Sequence, residues 1–193
     1  MYAYLQGKFT FKSPALIHVD VNGIGFEVNV SLNTFSAVQH LSEGKLFTYL
    51  QVKEDSHTLF GFHERQEKEV FLHLISVSGV GASTARMMLS SIRPDEISNA
   101  VVQGNVRLLE SVKGIGKKTA ERLVLELKDK LGKGLPAGFA DVAVASIDSD
   151  ALNALVALGI QKNQAEQAVA KIKKAEPAIN NLEELIKKSL KAI

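Results

Sequence analysis

Two stretches of the chain hold the residue types and spacing that could do chemistry, and they are copies of one another. Residues 74–89 read LISVSGVGASTARMML and residues 109–124 read LESVKGIGKKTAERLV. Aligned without a gap at an offset of 35, Leu74, Ser76, Val77, Gly79, Gly81, Thr84 and Ala85 meet Leu109, Ser111, Val112, Gly114, Gly116, Thr119 and Ala120, and Val80 meets Ile115. Each copy has the form helix, Gly-apolar-Gly, helix. The glycines permit positive φ and put no side chain between the turn and an approaching ligand. The apolar residue between them can point inward and hold the two helices together. After the second glycine a helix begins whose first amides have no intrahelical acceptor. At the positive end of a helix dipole such donors suit a phosphate oxygen. The chemistry is therefore a non-covalent grip on sugar-phosphate backbone, which positions a protein without reading bases. This is the pattern of a helix-hairpin-helix.

A single GxG between helices is more often a tight turn than a ligand site; the duplication and the local charge decide otherwise here. Lys113, Lys117, Lys118 and Arg122 surround the second hairpin. Net charge is only +2 over 193 residues, but residues 105–133 hold eight basic and four acidic side chains. A local basic patch is the footprint of a phosphate-binding surface. The candidate backbone contacts are Gly79, Gly81, Ser83 and Thr84 in the first copy, and Gly114, Gly116, Lys117, Lys118, Thr119 and Arg122 in the second. Ala82 and Ser83 stand where the second copy has Lys117 and Lys118, so the first hairpin is expected to be the weaker. A local pseudo-twofold relating the copies would let them hold both strands of one duplex arm, which implies double-stranded DNA.

The elements that must position these hairpins follow from the periodicity. Residues 1–63 read as strands: 2–12, 16–21 with Asn22-Gly23 as a hairpin turn, Phe26, Val28 and Val30 in alternation, 46–52, and 58–62. Five short strands with little helix predict a small closed barrel of the OB-fold kind. From Glu64 the period becomes helical, with segments ending near Ser78-Gly79 and then at 82–91, 94–103, 106–111 and 117–131. Residues 132–148, GKGLPAGFADVAVASID, lose periodicity and read as a flexible linker. Asp148 or Ser149 can cap a new helix, and 151–158, 162–173 and 182–192 predict a small three-helix domain. The expected class is α+β: a barrel domain at 1–63, a tandem helix-hairpin-helix domain at 64–133, a linker at 134–147 and a three-helix domain at 148–193.

Over nearly its whole length the chain resembles the RuvA family of bacterial Holliday-junction proteins. The resemblance is carried by the barrel, by KEDSHTLFGF at 53–62, by both hairpin copies, by SVKGIGKKTAERLVLELKDK at 111–130, and by the linker and ALNALVALGI at 151–160. It implies a homotetramer that holds a four-way junction open and square, as one tetramer or two face to face. It also implies the hexameric ATPase RuvB as a partner, docked through the C-terminal domain to drive branch migration, and the RuvC resolvase as a further partner. On sequence alone Glu54 and Asp55 are two acids in a solvated turn. The resemblance makes them an acidic pin at the centre of the junction, where repulsion of converging phosphates disfavours continuous duplex. The family often carries a lysine in the first hairpin, where this chain has Ser83.

Other function classes find little support. There is no Walker A loop, since Gly116-Lys117-Lys118-Thr119 lacks the upstream glycine and the adjacent GK[ST], and there is no HExxH. The histidines are scattered, and His73 reads as a packed or capping residue. Glu54-Asp55 alone is thin for a nuclease metal site. No cofactor or metal is expected, and the absence of cysteine excludes thiolate sites and disulfides. A single-strand-binding barrel would need a basic groove lined by exposed aromatics; residues 1–63 carry net −1, and their aromatics mostly alternate as core positions do. No run of 18 apolar residues suggests a membrane span, residues 1–12 lack the apolar core of a signal peptide, and a cytoplasmic location is expected.

Overall fold

The computed structural model describes residues 2–132, 147–176 and 179–192. The chain divides into two compact units, Met1–Gly138 and Phe139–Ile193.

The first unit begins with the expected barrel. Strands β1 (Tyr4–Ser13), β2 (Leu16–Val21), β3 (Ile24–Val30), β4 (Glu43–Val52) and β5 (His57–Phe62) close in the order β1-β2-β3-β5-β4. The β2–β3 turn is the two-residue loop that Asn22-Gly23 predicts, with Val21 opposite Ile24 and both loop residues at positive φ, as the twist of a tight hairpin requires. Closure depends on a short parallel pairing of β3 with β5 at Asn29–Phe60 and Val30–Gly61. Alternate residues Ile17, Val19, Val28, Val30, Leu46 and Leu59 fill the interior.

One element departs from the sequence reading. Between β3 and β4 the chain forms helix α1 (Leu32–Val38), in a segment whose sequence shows no clear period. Ser31 caps it by accepting from the Thr34 amide at 3.0 Å, satisfying one of the first-turn donors. Ser31 and Thr34 also donate their hydroxyls to the carboxylate of Glu67, a side chain that is 3% exposed. Burial pushes the Glu67 carboxyl above its ordinary range, and these two hydrogen bonds oppose the shift. A glutamate from the charged string ERQEKE is thus spent inside the joint between barrel and helices.

The helices are α2 (Arg65–Ile75), α3 (Ala82–Ser91), α4 (Pro94–Gln103), α5 (Val106–Glu110) and α6 (Lys117–Gly132). They share one continuous core from Phe71 and Leu74 through Met88, Ile97 and Leu109 to Leu123 and Leu127. Phe71 joins that core to the barrel, with ring centroids 5.5, 5.3 and 4.9 Å from Tyr49, Phe60 and Phe62.

The second unit holds α7 (Ile147–Ala157), α8 (Lys162–Ala175) and α9 (Leu182–Ala192) around Ala151, Leu155, Ala165, Val169, Ile179 and Leu185. Helix α7 starts at Ile147, so Asp148 lies in its first turn rather than capping it. There the carboxylate meets Lys173 Nζ at 2.9 Å and suits the helix dipole. Ile147 accordingly leaves the expected linker, whose remaining residues 134–146 lie outside the described residues, as does Lys133. The class is α+β, a barrel followed by helices.

Candidate nucleic-acid interface

The two repeats fold alike in detail. In the first, α2 ends at Ile75 and α3 begins at Ala82; in the second, α5 ends at Glu110 and α6 begins at Lys117. Gly79 and Gly114 share a φ of 92°. Val80 and Ile115 are each 5% exposed, and their amides donate back to Val77 and Val112 at 3.1 and 3.0 Å. Ser76 and Ser111 each return a hydroxyl hydrogen bond of 2.7 Å to the preceding turn, at the His73 and Leu108 carbonyls. The apolar residue between the glycines therefore plugs the interhelical core and pushes both glycines outward.

The glycines divide into two kinds. Gly79 and Gly114 need their positive φ, which a side chain resists. Gly81 adopts φ −84° and ψ 167°, ordinary extended backbone, and Gly116 is not at positive φ either. A Cβ added at any of the four would meet nothing within 4 Å in the chain itself. Only the first glycine of each pair uses the positive φ that glycine permits; the second is required neither by its backbone nor by its neighbours. Its bare surface faces open space.

The amides that follow are arranged as donors. The first intrahelical bonds are from Ala85 to the Gly81 carbonyl and from Ala120 to the Gly116 carbonyl, each 2.9 Å. The amides of Ala82, Ser83 and Thr84, and of Lys117, Lys118 and Thr119, precede them, and no side chain caps α3. Lys113, Lys117 and Lys118 are exposed, Ser83 is exposed, and Thr84 and Thr119 are half-buried. Ala82 is 4% exposed where its counterpart Lys117 stands free in solvent, so the inequality of the copies reaches the surface.

Arg122 has other partners. It donates to the Ser78 carbonyl at 3.3 Å and lies 3.8 Å from Glu126, while Lys130 Nζ is 3.3 Å from Ser76 Oγ. Helix α6 of the second copy is thereby tied to the first hairpin, bringing the two hairpins side by side. His73, half-buried in the last turn of α2, is a packed residue; burial, with Lys130 adding to it, holds its imidazole below the ordinary value.

Glu54 and Asp55 sit apart from the hairpins, in the exposed turn of the β4–β5 ladder beyond its last pair, Val52–His57. The turn is closed by the Lys53 amide on the Ser56 carbonyl at 2.8 Å, and Ser56 Oγ donates to Asp55 at 3.3 Å. Among the described residues no group of three or more histidines and carboxylates could hold a metal ion, and no helix is long and apolar enough to cross a membrane. Tyr2, Tyr4 and Phe11 are exposed on the barrel; its other aromatics are buried or half-buried.

Comparison with known proteins is consistent along the chain. The family model for the RuvA N-terminal domain matches residues 1–61, the model for a SAM-like helix-hairpin-helix tandem matches 71–129, and the model for the RuvA C-terminal domain matches 147–193. A protein of Cytophaga hutchinsonii is 47% identical, with 99% of each chain covered. One from Christiangramia forsetii is 46% identical and one from Bacteroides fragilis 42%, each over the full length of both chains. All three are named Holliday junction branch migration complex subunit RuvA.

Proposed function

The chain belongs to the RuvA family, and from that premise we propose that it binds four-way DNA junctions by their backbone, holding them open and square while a partner motor migrates the branch point. The observation that carries this reading is the pair of hairpins with matched geometry, each presenting a bare glycine and a set of unpaired amides beside the other. A local pseudo-twofold between two such donors would fit them to the two strands of one duplex arm. Backbone contact gives position without sequence preference, which is what a protein needs if the junction is to slide through it.

In this reading Gly79, Gly81, Ser83 and Thr84 grip one strand, and Gly114, Gly116, Lys117, Lys118 and Thr119 the other. Arg122 contributes charge and braces the first hairpin. Four copies in a ring place Glu54 and Asp55 at the crossover, where carboxylates and phosphates within about 10 Å repel at moderate salt. The chain is non-catalytic; the energy comes from the ATPase RuvB, which the Phe139–Ile193 unit docks. That unit has balanced charge over residues 135–193 and exposes Val156, Leu158, Leu182 and Leu190, which favours a protein partner over DNA. The RuvC resolvase is a further partner, the junction is held by one tetramer or by two face to face, and the location is cytoplasmic. With Ile147 passed to α7, the divisions at 1–63, 64–133, 134–146 and 147–193 then separate pin, grip, tether and motor dock.

A gel-shift comparison of a four-way junction with linear duplex of the same sequence tests the reading. The wild-type chain is expected to prefer the junction. Glu54→Lys with Asp55→Lys should raise duplex affinity and narrow that preference, because repulsion becomes attraction; a duplex-to-junction ratio that does not move would remove the pin.

The glycines give an independent check. Gly116→Val should leave the melting temperature nearly unchanged, as surface substitutions within about 0.5 kcal/mol do, yet weaken DNA binding by blocking the approach. Gly114→Val should also cost about 1–2 kcal/mol of folding stability through its positive φ. Equal binding by Gly116→Val and wild type would mean that no backbone comes close to that hairpin.

A further inference from the structure

Preference for a junction over a duplex requires the acidic turn and the first hairpin to keep a fixed relation, yet they sit on different elements. The turn lies at the start of β5, and the amides of the first hairpin lie at the start of α3. The helices on either side of that hairpin, α2 and α3, meet the barrel through different kinds of contact. One is apolar, the packing of Phe71 among Tyr49, Phe60 and Phe62. Such burial is non-directional, and the directional bonds from Ser31 and Thr34 to Glu67 hold α2 rather than α3.

The other contact is polar and directional. Arg86, at mid-length in α3, donates through Nη1 to Asn29 Oδ1 at 2.7 Å and to the Ala15 carbonyl at 3.2 Å. The amide nitrogen of Asn29 faces the Leu59 carbonyl of β5 at 3.5 Å. Asn29 also stands where β3 pairs with β5 to close the barrel. Leu59, on β5, is four residues beyond Asp55 of the turn that leads into that strand. Among the described residues Arg86 has no carboxylate partner, so its guanidinium is committed to two neutral acceptors on the barrel. Charge-assisted bonds of this kind carry geometric specificity.

The repeat shows that Arg86 lies outside the shared phosphate machinery. At the offset of 35 its counterpart is Glu121, and the counterpart of Arg122 is Met87. An arginine occurs at this position only in the first copy, where it bonds to the barrel. Asn33 and Ser90 hold the other end of α3, through the Leu89 and Ile92 carbonyls and the Leu32 amide, but neither reaches β5.

We propose that Arg86 and Asn29 are positioning residues: the relay from Arg86 through Asn29 to Leu59 sets the angle between the first hairpin and the acidic turn, and with it the preference for a four-way junction. The relay rests on the junction-binding reading above and names what tunes it.

The test uses the full chain and measures affinity for a four-way junction and for linear duplex of the same sequence. The variants are Arg86→Ala, Asn29→Ala, the neutral pin Glu54→Gln with Asp55→Asn, and Arg86→Ala in the neutral-pin background. Each single relay variant should leave duplex affinity within about twofold and lower the junction-to-duplex ratio about fivefold, the size of coupling expected between directly linked groups. In the neutral-pin background Arg86→Ala should change the ratio little, since it acts through the pin. Asn29→Asp keeps the acceptor for Arg86 and removes the donor to Leu59. It should lower the ratio in a chain whose contact between α3 and the barrel is intact, which separates the relay from simple unfolding.

Three outcomes would overturn the proposal while leaving junction binding standing. The neutral pin could move the ratio while the relay variants do not. The relay and pin effects could add without coupling. Junction and duplex affinity could fall together with a flatter salt dependence, which would make Arg86 a phosphate contact. A wild-type chain without junction preference would overturn the junction reading, and the relay with it.

Discussion

Replacing Lys117 and Lys118 together by alanine is expected to cut junction affinity by orders of magnitude and to flatten its dependence on salt. Both side chains are exposed in the first turn of α6, directly after Gly116. Among the described residues neither has a carboxylate within ion-pair distance, so neither is already neutralised. A lysine beside the unpaired amides of a helix start adds a mobile charge to a fixed dipole, and both act on the same phosphate. Each phosphate contact releases counterions and contributes about 0.9 to the slope of log affinity against log salt. Losing two should lower the slope by about 1.8 for every engaged hairpin. The effect on affinity compounds in an oligomer. If each exposed contact contributes about 0.5 kcal/mol, the pairs in a ring of four subunits account for about 4 kcal/mol, close to a thousandfold at low salt. The melting temperature should not move, because no packing is lost. Binding isotherms at several salt concentrations make the measurement, and a slope equal to that of the wild type would take these lysines out of the interface.

The basis of that prediction is legible in the sequence, because the hairpin chemistry is local. Two glycines around one apolar residue, flanked by helical periodicity and repeated, determine the turn, the plug at Val80 or Ile115, and the exposed helix start. What the repeat does not show is which glycine serves the backbone and which serves the ligand, since that depends on φ and on open space. The barrel is legible for a similar reason: alternation and Asn22-Gly23 are short-range signals. Helix α1 is not, because SLNTFSAV is too short to display a helical period, although Ser31 three residues before Thr34 is a cap signal that points to it. Glu67 reads as one more surface charge in ERQEKE; only the hydroxyls of Ser31 and Thr34, more than thirty residues away, make its burial tolerable. The contact between Arg86 and Asn29 spans 57 residues and leaves one trace in the sequence, an arginine where the other repeat has a glutamate. Local patterns thus announce the grip, whereas the joints that orient it are long-range and emerge only in three dimensions.

A chain ended after Lys133 should bind a four-way junction nearly as well as the full chain and yet support no branch migration when RuvB and ATP are added. The barrel, the acidic turn and both hairpins belong to Met1–Gly138, and among the described residues their two cores contain none from beyond Leu127. Helices α7 to α9 bury their own apolar residues among themselves. The described residues of both cores of the first unit precede the cut, so the shortened chain should keep its melting transition and its oligomeric state. Every candidate phosphate donor precedes the cut. What the cut removes is the unit proposed to dock the motor, with its balanced charge and its exposed Val156, Leu158, Leu182 and Leu190. Holding a junction and driving it are then tasks of different units of the chain. Gel shift on the junction, run beside an ATP-dependent migration assay, reads both. Weakened binding would show that the C-terminal unit helps hold DNA. Full migration by the shortened chain would show that the motor docks on the first unit instead.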